Sequence, residues 1–404
     1  MSYRALATRP VLAWSAVTVA GRMPVAMAPL ALVLLVRERP GGYTLGAVLA
    51  AVYVLGEILA APVLGIRMNA ERARPQLASG LAVGALGFAG LGLLDGAHPA
   101  VLCGLAFAAG AGPAAVPGGL RALLTSLVPE HAVTQAMSME SVLTFGIWAG
   151  APALTTGFAL GVDPAVPLLL QGGLMAVAVA GLRLLPAGWK AEGGPGAGGE
   201  PVRRLLARAW PVYVTGAASL TLLALAELVL PALLEQRGIG IGWAGPLLAG
   251  FAAGSALGAF LYGLRGDWPG RLTAQSLVLI LGVSGGVVLV ALLPWTAAIA
   301  VALVLAGLLQ APAMLTRNLA LRRILPPSAL AAGYSVMYAA VGAGYAASGS
   351  LAGGLLQVVA PSTAILWGVG LTLLLTAVGA AGERRLAEAA PAAQPVAPAR
   401  KVRR

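Results

Sequence analysis

Apolar residues fill this chain in long runs, and polar residues interrupt them at regular intervals. A helix rises about 1.5 Å per residue, so roughly 20 apolar residues cross a bilayer core. Runs of that length predict twelve membrane spans, at 11–36, 45–66, 77–95, 100–121, 134–160, 165–186, 210–232, 243–264, 275–293, 297–317, 332–358 and 361–381. Several connections are short, such as Asp95 to Pro99 and Pro294 to Ala297, and are expected to turn at the membrane surface. A Gly- and Pro-rich stretch near the middle predicts a flexible linker over 188–209. The expected organisation is a six-helix bundle at 1–187, the linker, a second six-helix bundle at 210–382, and a disordered basic tail at 383–404.

Composition supports a membrane class. Of the residues, 59% are hydrophobic and 10% charged, where soluble domains carry about 25% charged residues. A soluble fold has too little interior for so much apolar surface, so lipid must be part of the solvent. The first run is too long for a signal-peptide core and is expected to stay as a span. Cys103 is the sole cysteine and excludes an intramolecular disulfide. Lysine occurs only as Lys190 and Lys401 among many arginines, a bias of GC-rich bacterial genes.

The net charge is +12, but the basic residues sit in loops and tails rather than on a face that could hold nucleic acid. With the N-terminus placed inside and the sides alternated, inside segments take every Lys and Arg except Arg37, Arg39 and Arg237, which fall outside, and Arg22, which falls within a span. This count places Arg121 and Arg317 at cytoplasmic span ends. The positive-inside rule then puts both termini in the cytoplasm, and the expected location is a bacterial inner membrane.

The halves repeat. A shift of 198 carries Leu45 to Trp243, Gly65 to Gly263 and Asn69 to Asp267, and a shift of 197 carries Gly110 to Gly307, Ser138 to Ser335 and Gly157 to Gly354. Six spans per half with both starts inside predict bundles related by a pseudo-two-fold axis along the membrane normal. In the loop after the eighth span stands Gly263-Leu-Arg-Gly-Asp267-Trp-Pro-Gly270-Arg271, and after the second stands Gly65-Ile-Arg-Met-Asn69-Ala-Glu-Arg72-Ala-Arg74. With these loops, the chain resembles the major facilitator superfamily, whose signature at both places is G-x-x-x-D-R-x-G-R-R. The second copy keeps Gly, Asp, Gly and Arg, while Trp268 replaces the first arginine and Asn69 replaces the aspartate of the first copy. The resemblance implies a gating loop at Gly65, Asn69, Gly263, Asp267, Gly270 and Arg271. The fifth span carries Gly146, Gly150, Pro152 and Gly157, similar to the family's antiporter signature. That implies efflux, while the same spacing also suits plain helix packing, with Gly250, Gly254 and Gly258 as a matching face. The family's fourth-span arginine is missing, since Ala106 stands there.

Charges inside spans are the candidate chemistry. Arg22, Glu57, Glu140 and Glu227 lie in otherwise apolar runs, where a charge costs at least ~2.5–3.5 kcal/mol and needs a partner or a wet cavity. Arg22 and Glu57 lie at matching depths, roughly 15–16 Å from the cytoplasmic ends of consecutive spans, and are expected to pair. Glu140 sits nearer the cytoplasmic side, where interdomain contact and coupling are both open. Glu227 has no basic residue at its depth, so it is a candidate for coupling, for cation binding or for a hydrogen-bonded structural role. Tyr334, Tyr338 and Tyr345 share roughly one face of the eleventh span, expected to pack between helices or to bracket a substrate. Helix breaks are expected at Pro24 and Pro29, at Pro113 to Gly119, and at Pro312, around a central site.

No H-E-x-x-H pair, nucleophile elbow or phosphate-binding loop occurs, so no enzyme activity, cofactor or metal is expected. The reading is a monomeric secondary transporter of a small organic solute, expected to work by proton-coupled efflux. Proton-coupled uptake and a non-transporting membrane scaffold are the alternatives. Its acidic spans suit an organic cation, and Arg22 suits an anion.

Overall fold

The computed structural model describes residues 3–188, 201–265 and 268–389, and among these it contains helices and no strand. In chain order the helices are α1 Arg9–Val36, α2 Gly42–Arg67, α3 Ala73–Leu93, α4 Pro99–Ala111, α5 Val116–Leu127, α6 Val133–Gly161 and α7 Val166–Gly181. After the linker come α8 Val202–Arg208, α9 Trp210–Gln236, α10 Ala244–Arg265, α11 Leu272–Leu292, α12 Thr296–Ile324, α13 Leu330–Leu355 and α14 Pro361–Ala389. Eleven helical stretches among the described residues are long and apolar enough to cross a membrane, with α4 and α5 counted as one stretch, Pro99–Leu127. The long helix outside that set is α13, which is rich in Gly, Ala, Ser and Tyr. It packs against α2 and α5 on one side and α9 on another, so little of it has to be apolar enough for lipid.

Local sequence explains where the rods break. Gly112 and Pro113 open a 3-10 turn, Gly112–Ala115, between α4 and α5, because proline donates no backbone hydrogen bond and clashes with the preceding turn. The other expected breaks do not form. Helix α1 runs on through Pro24 and Pro29, and α12 through Pro312, since neighbouring helices hold the freed carbonyls away from lipid.

Two sets of helices are distinguishable by their contacts. In the first, α1 packs on α2, α6 and α7, and α3 on α4 and α7. In the second, α9 packs on α13 and α14, α10 on α12, and α11 on α12 and α14. The sets meet through α2 with α13, α6 with α10, and α5 with α13. The largest buried cluster joins residues of the first set to Leu315, Leu321, Leu330, Tyr334 and Met337 of the second. Separate clusters serve each set further along: Leu230, Leu303 and Ile365 in one, and Met27, Ile147 and Ala151 in the other. Outward-facing residues such as Leu86, Val278 and Leu374 are exposed, as lipid-facing positions are.

Three sequence expectations need correction here. Helix α14 continues to Ala389, so residues 383–389 are not a disordered tail; Glu383 is anchored by Arg317 at 2.5 Å and by the Thr273 hydroxyl, which holds the polar end of the helix in place. The remainder of that tail, 390–404, lies outside the described residues. Within 188–209 the segment Val202–Arg208 is helical rather than a flexible linker, and residues 189–200 lie outside the described residues. Arg121 and Arg317 are not loop-end charges: α5 and α12 extend past them, and they are 7% and 1% exposed.

Candidate functional site

The helix ends carrying Arg67, Arg72, Arg265, Arg322 and Arg323 form one basic end, and several contacts between the two helix sets lie there. The Tyr3 hydroxyl donates to the Phe260 carbonyl at 3.0 Å, and the two rings stack. Both terminal nitrogens of Arg322 donate to the Glu130 carboxylate at 2.6 Å. Arg121 Nη1 reaches Asn318 Oδ1 at 3.4 Å, and Asn318 is the residue that the 197-residue shift assigns to Arg121.

Two glycines of the signature loops shape this closure. Gly65 lies against Ser335, and Gly263 against Ser138 and the Tyr3 hydroxyl, so closely that an added Cβ would collide. These contacts are copies of each other, since the repeat relates Gly65 to Gly263 and Ser138 to Ser335. Both serine hydroxyls are buried without a hydrogen-bond partner. The remaining loop residues divide. Asn69 caps a short turn by accepting from the Glu71 amide at 2.9 Å and forms no ion-pair lock, as expected of an amide in place of a carboxylate. Gly270 takes a φ of +87°, which suits a residue without Cβ. Asp267 lies outside the described residues, and no ion pair to Arg271 is found among those described.

The glycines of α6 are not packed in this way. On α6, Gly146, Gly150 and Gly157 have open space where a Cβ would stand, so the packing expected of them is not made in this conformation. Gly254 and Gly258, expected to match them, lie instead against the Val304 and Leu308 backbone of α12, and Gly250 meets the Val304 side chain.

The intramembrane charges sit between these regions and are paired differently from expectation. Arg22 does not form an ion pair with Glu57. Its Nη1 lies 2.6 Å from Glu140 Oε1, and Arg121 Nη2 lies 2.6 Å from the same oxygen. All three side chains are buried, at 9% exposure for Arg22, 7% for Arg121 and 2% for Glu140. Thr144 leans on the same carboxylate oxygen at 3.4 Å. Glu140 is therefore the hub of an ion cluster within the first helix set, not an interdomain contact.

Helix α13 links the other charges. Tyr338 donates to Glu57 Oε1 at 2.5 Å, crossing from the second set to the first near mid-span. Tyr345 donates to Glu227 Oε2 at 3.1 Å. The ring of Tyr334 lies 5.5 Å from the Arg121 guanidinium, a cation–π contact. The tyrosine face is thus a polar track of roughly 16 Å along one helix, with a charged group opposite each ring. Plain packing does not describe it.

Arg121 and Arg317 were missed as site or core residues because each closes an apolar run, where sequence alone assigns basic groups to loops, although α5 and α12 continue past them. Arg317 pairs with Glu383 and donates to the Leu272 carbonyl at 2.9 Å, tying α12 to α11 and α14. No group of three or more metal-ligating side chains occurs among the described residues.

No family model matches the sequence, and no curated protein does. Solved structures do match. The human organic anion transporter MFSD10 (TETRAN) is similar with a TM-score of 0.73 at 16% identity, over 92% of this chain and 99% of that one. The E. coli fucose:proton symporter FucP is similar with a TM-score of 0.69 at 13% identity, over 94% and 99%. A bacterial homologue of the iron transporter ferroportin, in its outward-facing state, is similar with a TM-score of 0.66 at 16% identity, over 94% and 98%. Identities this low carry fold alone, and the fold of this chain is that of the major facilitator superfamily transporters.

Proposed function

We propose that this protein is a proton-coupled secondary transporter of a small organic solute, working by alternating access. In this reading α13 also crosses the membrane, which completes twelve spans, and two six-helix bundles rock about a pseudo-two-fold axis. The positive-inside rule makes the basic end cytoplasmic, so the contacts there close the bundles on the inside. The termini are then cytoplasmic, the membrane is a bacterial inner membrane, and the protein acts as a monomer.

The observation that carries the proposal is the Tyr338–Glu57 hydrogen bond. It joins a titratable group of one bundle to the other at mid-span, so a change in its protonation acts on the interface that must rearrange. The symmetric Gly65–Ser335 and Gly263–Ser138 contacts supply a closure that can open as one unit.

The fold does not choose the cargo, since the similar proteins are named for an organic anion, fucose with a proton, and iron. Efflux rests on the resemblance of the fifth span. Uptake by symport is the alternative reading. The test is flux in proteoliposomes under an imposed pH gradient, with a panel of organic acids, amines and sugars. Gradient-driven flux supports the proposal, and its sign separates symport from antiport. A protein that carries none of the panel under either gradient behaves as a scaffold.

A further inference from the structure

Charge around Arg22 does not balance within the ion cluster. Arg22 and Arg121 both donate to one oxygen of Glu140, so two buried cations share one anion. Arg121 Nε is buried without a partner, and its bond to Asn318 is long at 3.4 Å. The other carboxylate in range is Glu57. It interacts electrostatically with Arg22, but its hydrogen bond comes from Tyr338. The remaining surroundings of Glu57 add no charge. Helix α4 and the turn at 112–115, which pack on α2, contain no Asp, Glu, Lys or Arg, and Tyr53 is the other titratable group facing it from α2 itself. Glu227 is held elsewhere, by Tyr345, seven residues further along α13. With Glu57 ionised the cluster is neutral, and with Glu57 protonated it carries one positive charge.

We propose that this cluster is an anion site that takes one monovalent organic carboxylate together with one proton on Glu57. The inference rests on the transport reading above and names its substrate class. The proton passes from solution to the Glu57 carboxylate. The anion's oxygens lie against the guanidinium groups of Arg22 and Arg121, whose planar forks match a carboxylate. The loaded site then has the same net charge as the empty one. An anion alone, a proton alone or an organic cation leaves one charge uncompensated in low dielectric, which is costly. A dianion fails the same balance. Coupling of one proton to one anion follows from electroneutrality, without a dedicated relay.

The test uses the full-length protein purified in detergent, with benzoate as probe and benzylamine and benzyl alcohol as its cationic and neutral counterparts. Acetate and octanoate extend the carboxylate series. Calorimetry in buffers of different ionisation enthalpy reads affinity and protons taken up together. A carboxylate of the series should bind at least ~tenfold tighter than its amine or alcohol counterpart, the equivalent of one charge-assisted hydrogen bond, and about one proton should be taken up per anion. Glu57→Gln should keep anion binding and lose the proton uptake, and Arg22→Gln and Arg121→Gln should each weaken binding by ~tenfold or more. Arg22→Lys, which keeps the charge, should fall between them, and the probe series on the unaltered protein needs no variant to fold. Equal binding of benzylamine, proton uptake that survives Glu57→Gln, or no binding by any carboxylate overturns the site. Anion and proton binding without flux in proteoliposomes overturns the transport reading instead and leaves the site standing.

Discussion

Replacing Glu140 by Gln should destabilise the protein more than any other single change among the intramembrane charges of α1, α2 and α6. The carboxylate accepts from two guanidinium groups at 2.6 Å each, and all three groups are nearly sealed from solvent. Hydrogen bonds to charged groups are worth about 1.5–3 kcal/mol each, and removing one partner of a buried ion pair costs about 3–5 kcal/mol because a charge is left unpaired. Glu140→Gln leaves two cations unpaired and belongs at the upper end of that range. Arg22→Gln leaves Glu140 still paired with Arg121, so its cost should be about one charge-assisted bond. Glu57→Gln keeps an acceptor for Tyr338 and withdraws only the more distant counter-charge of Arg22, so its cost should fall below that of Glu140→Gln. Thermal unfolding in detergent, followed by tryptophan fluorescence, gives the ranking. A double-mutant cycle makes it sharper: Arg22 and Glu140 are in contact and should couple by about 0.5–3 kcal/mol, whereas Arg22 and Glu57 should couple more weakly. Stronger coupling of Arg22 to Glu57 than to Glu140 would restore the pairing read from depth and refute the cluster described above.

Tyr338→Phe removes the hydrogen bond between bundles and Glu57→Gln its titratable group, and each should abolish flux driven by a pH gradient, while exchange of substrate across the membrane without a gradient persists. Ala at Gly65 or Gly263 places a Cβ against Ser335 or Ser138 and should shift the population toward a state open at the basic end. Distances between spin labels on a Cys103→Ser background would read that shift, and unchanged distances would count against the closure. Arg317→Gln should lower thermal stability by about 3–5 kcal/mol through the unpaired Glu383, without changing coupling stoichiometry. Arg322→Gln breaks a pair whose Glu130 side is exposed, so about 0–1 kcal/mol is expected, fading with added salt.

Much of the fold was legible because lipid imposes a strict rule on sequence. Every backbone group in the bilayer must be satisfied within its own helix, so spans announce themselves as long apolar runs, and eleven of the helical stretches are recognisable that way. The repeat was legible for a different reason: glycines at 65 and 263 recur at an offset of 198 and serines at 138 and 335 at an offset of 197. The two sets of equivalent positions meet each other across the interface, a relation that alignment of the halves contains and that only packing reveals.

Side-chain reach and burial were not legible. Depth along a helix treats each residue as a point, which favoured Glu57 as the partner of Arg22; a long guanidinium side chain reaches past that depth to Glu140 on another helix. Helix ends misled for a related reason. Hydropathy stops a span at Arg121, Arg317 or Glu383, yet each of these continues a helix because it finds an opposite charge inside the protein. The tyrosines of α13 show the same limit. Their spacing put them on one face from sequence alone, and tertiary packing decided that each ring would meet a charge. Sequence thus determined which groups must leave water, since that is a property of each residue and its neighbours in the chain. Which buried groups neutralise one another depends on distances between helices, and only the folded chain sets those.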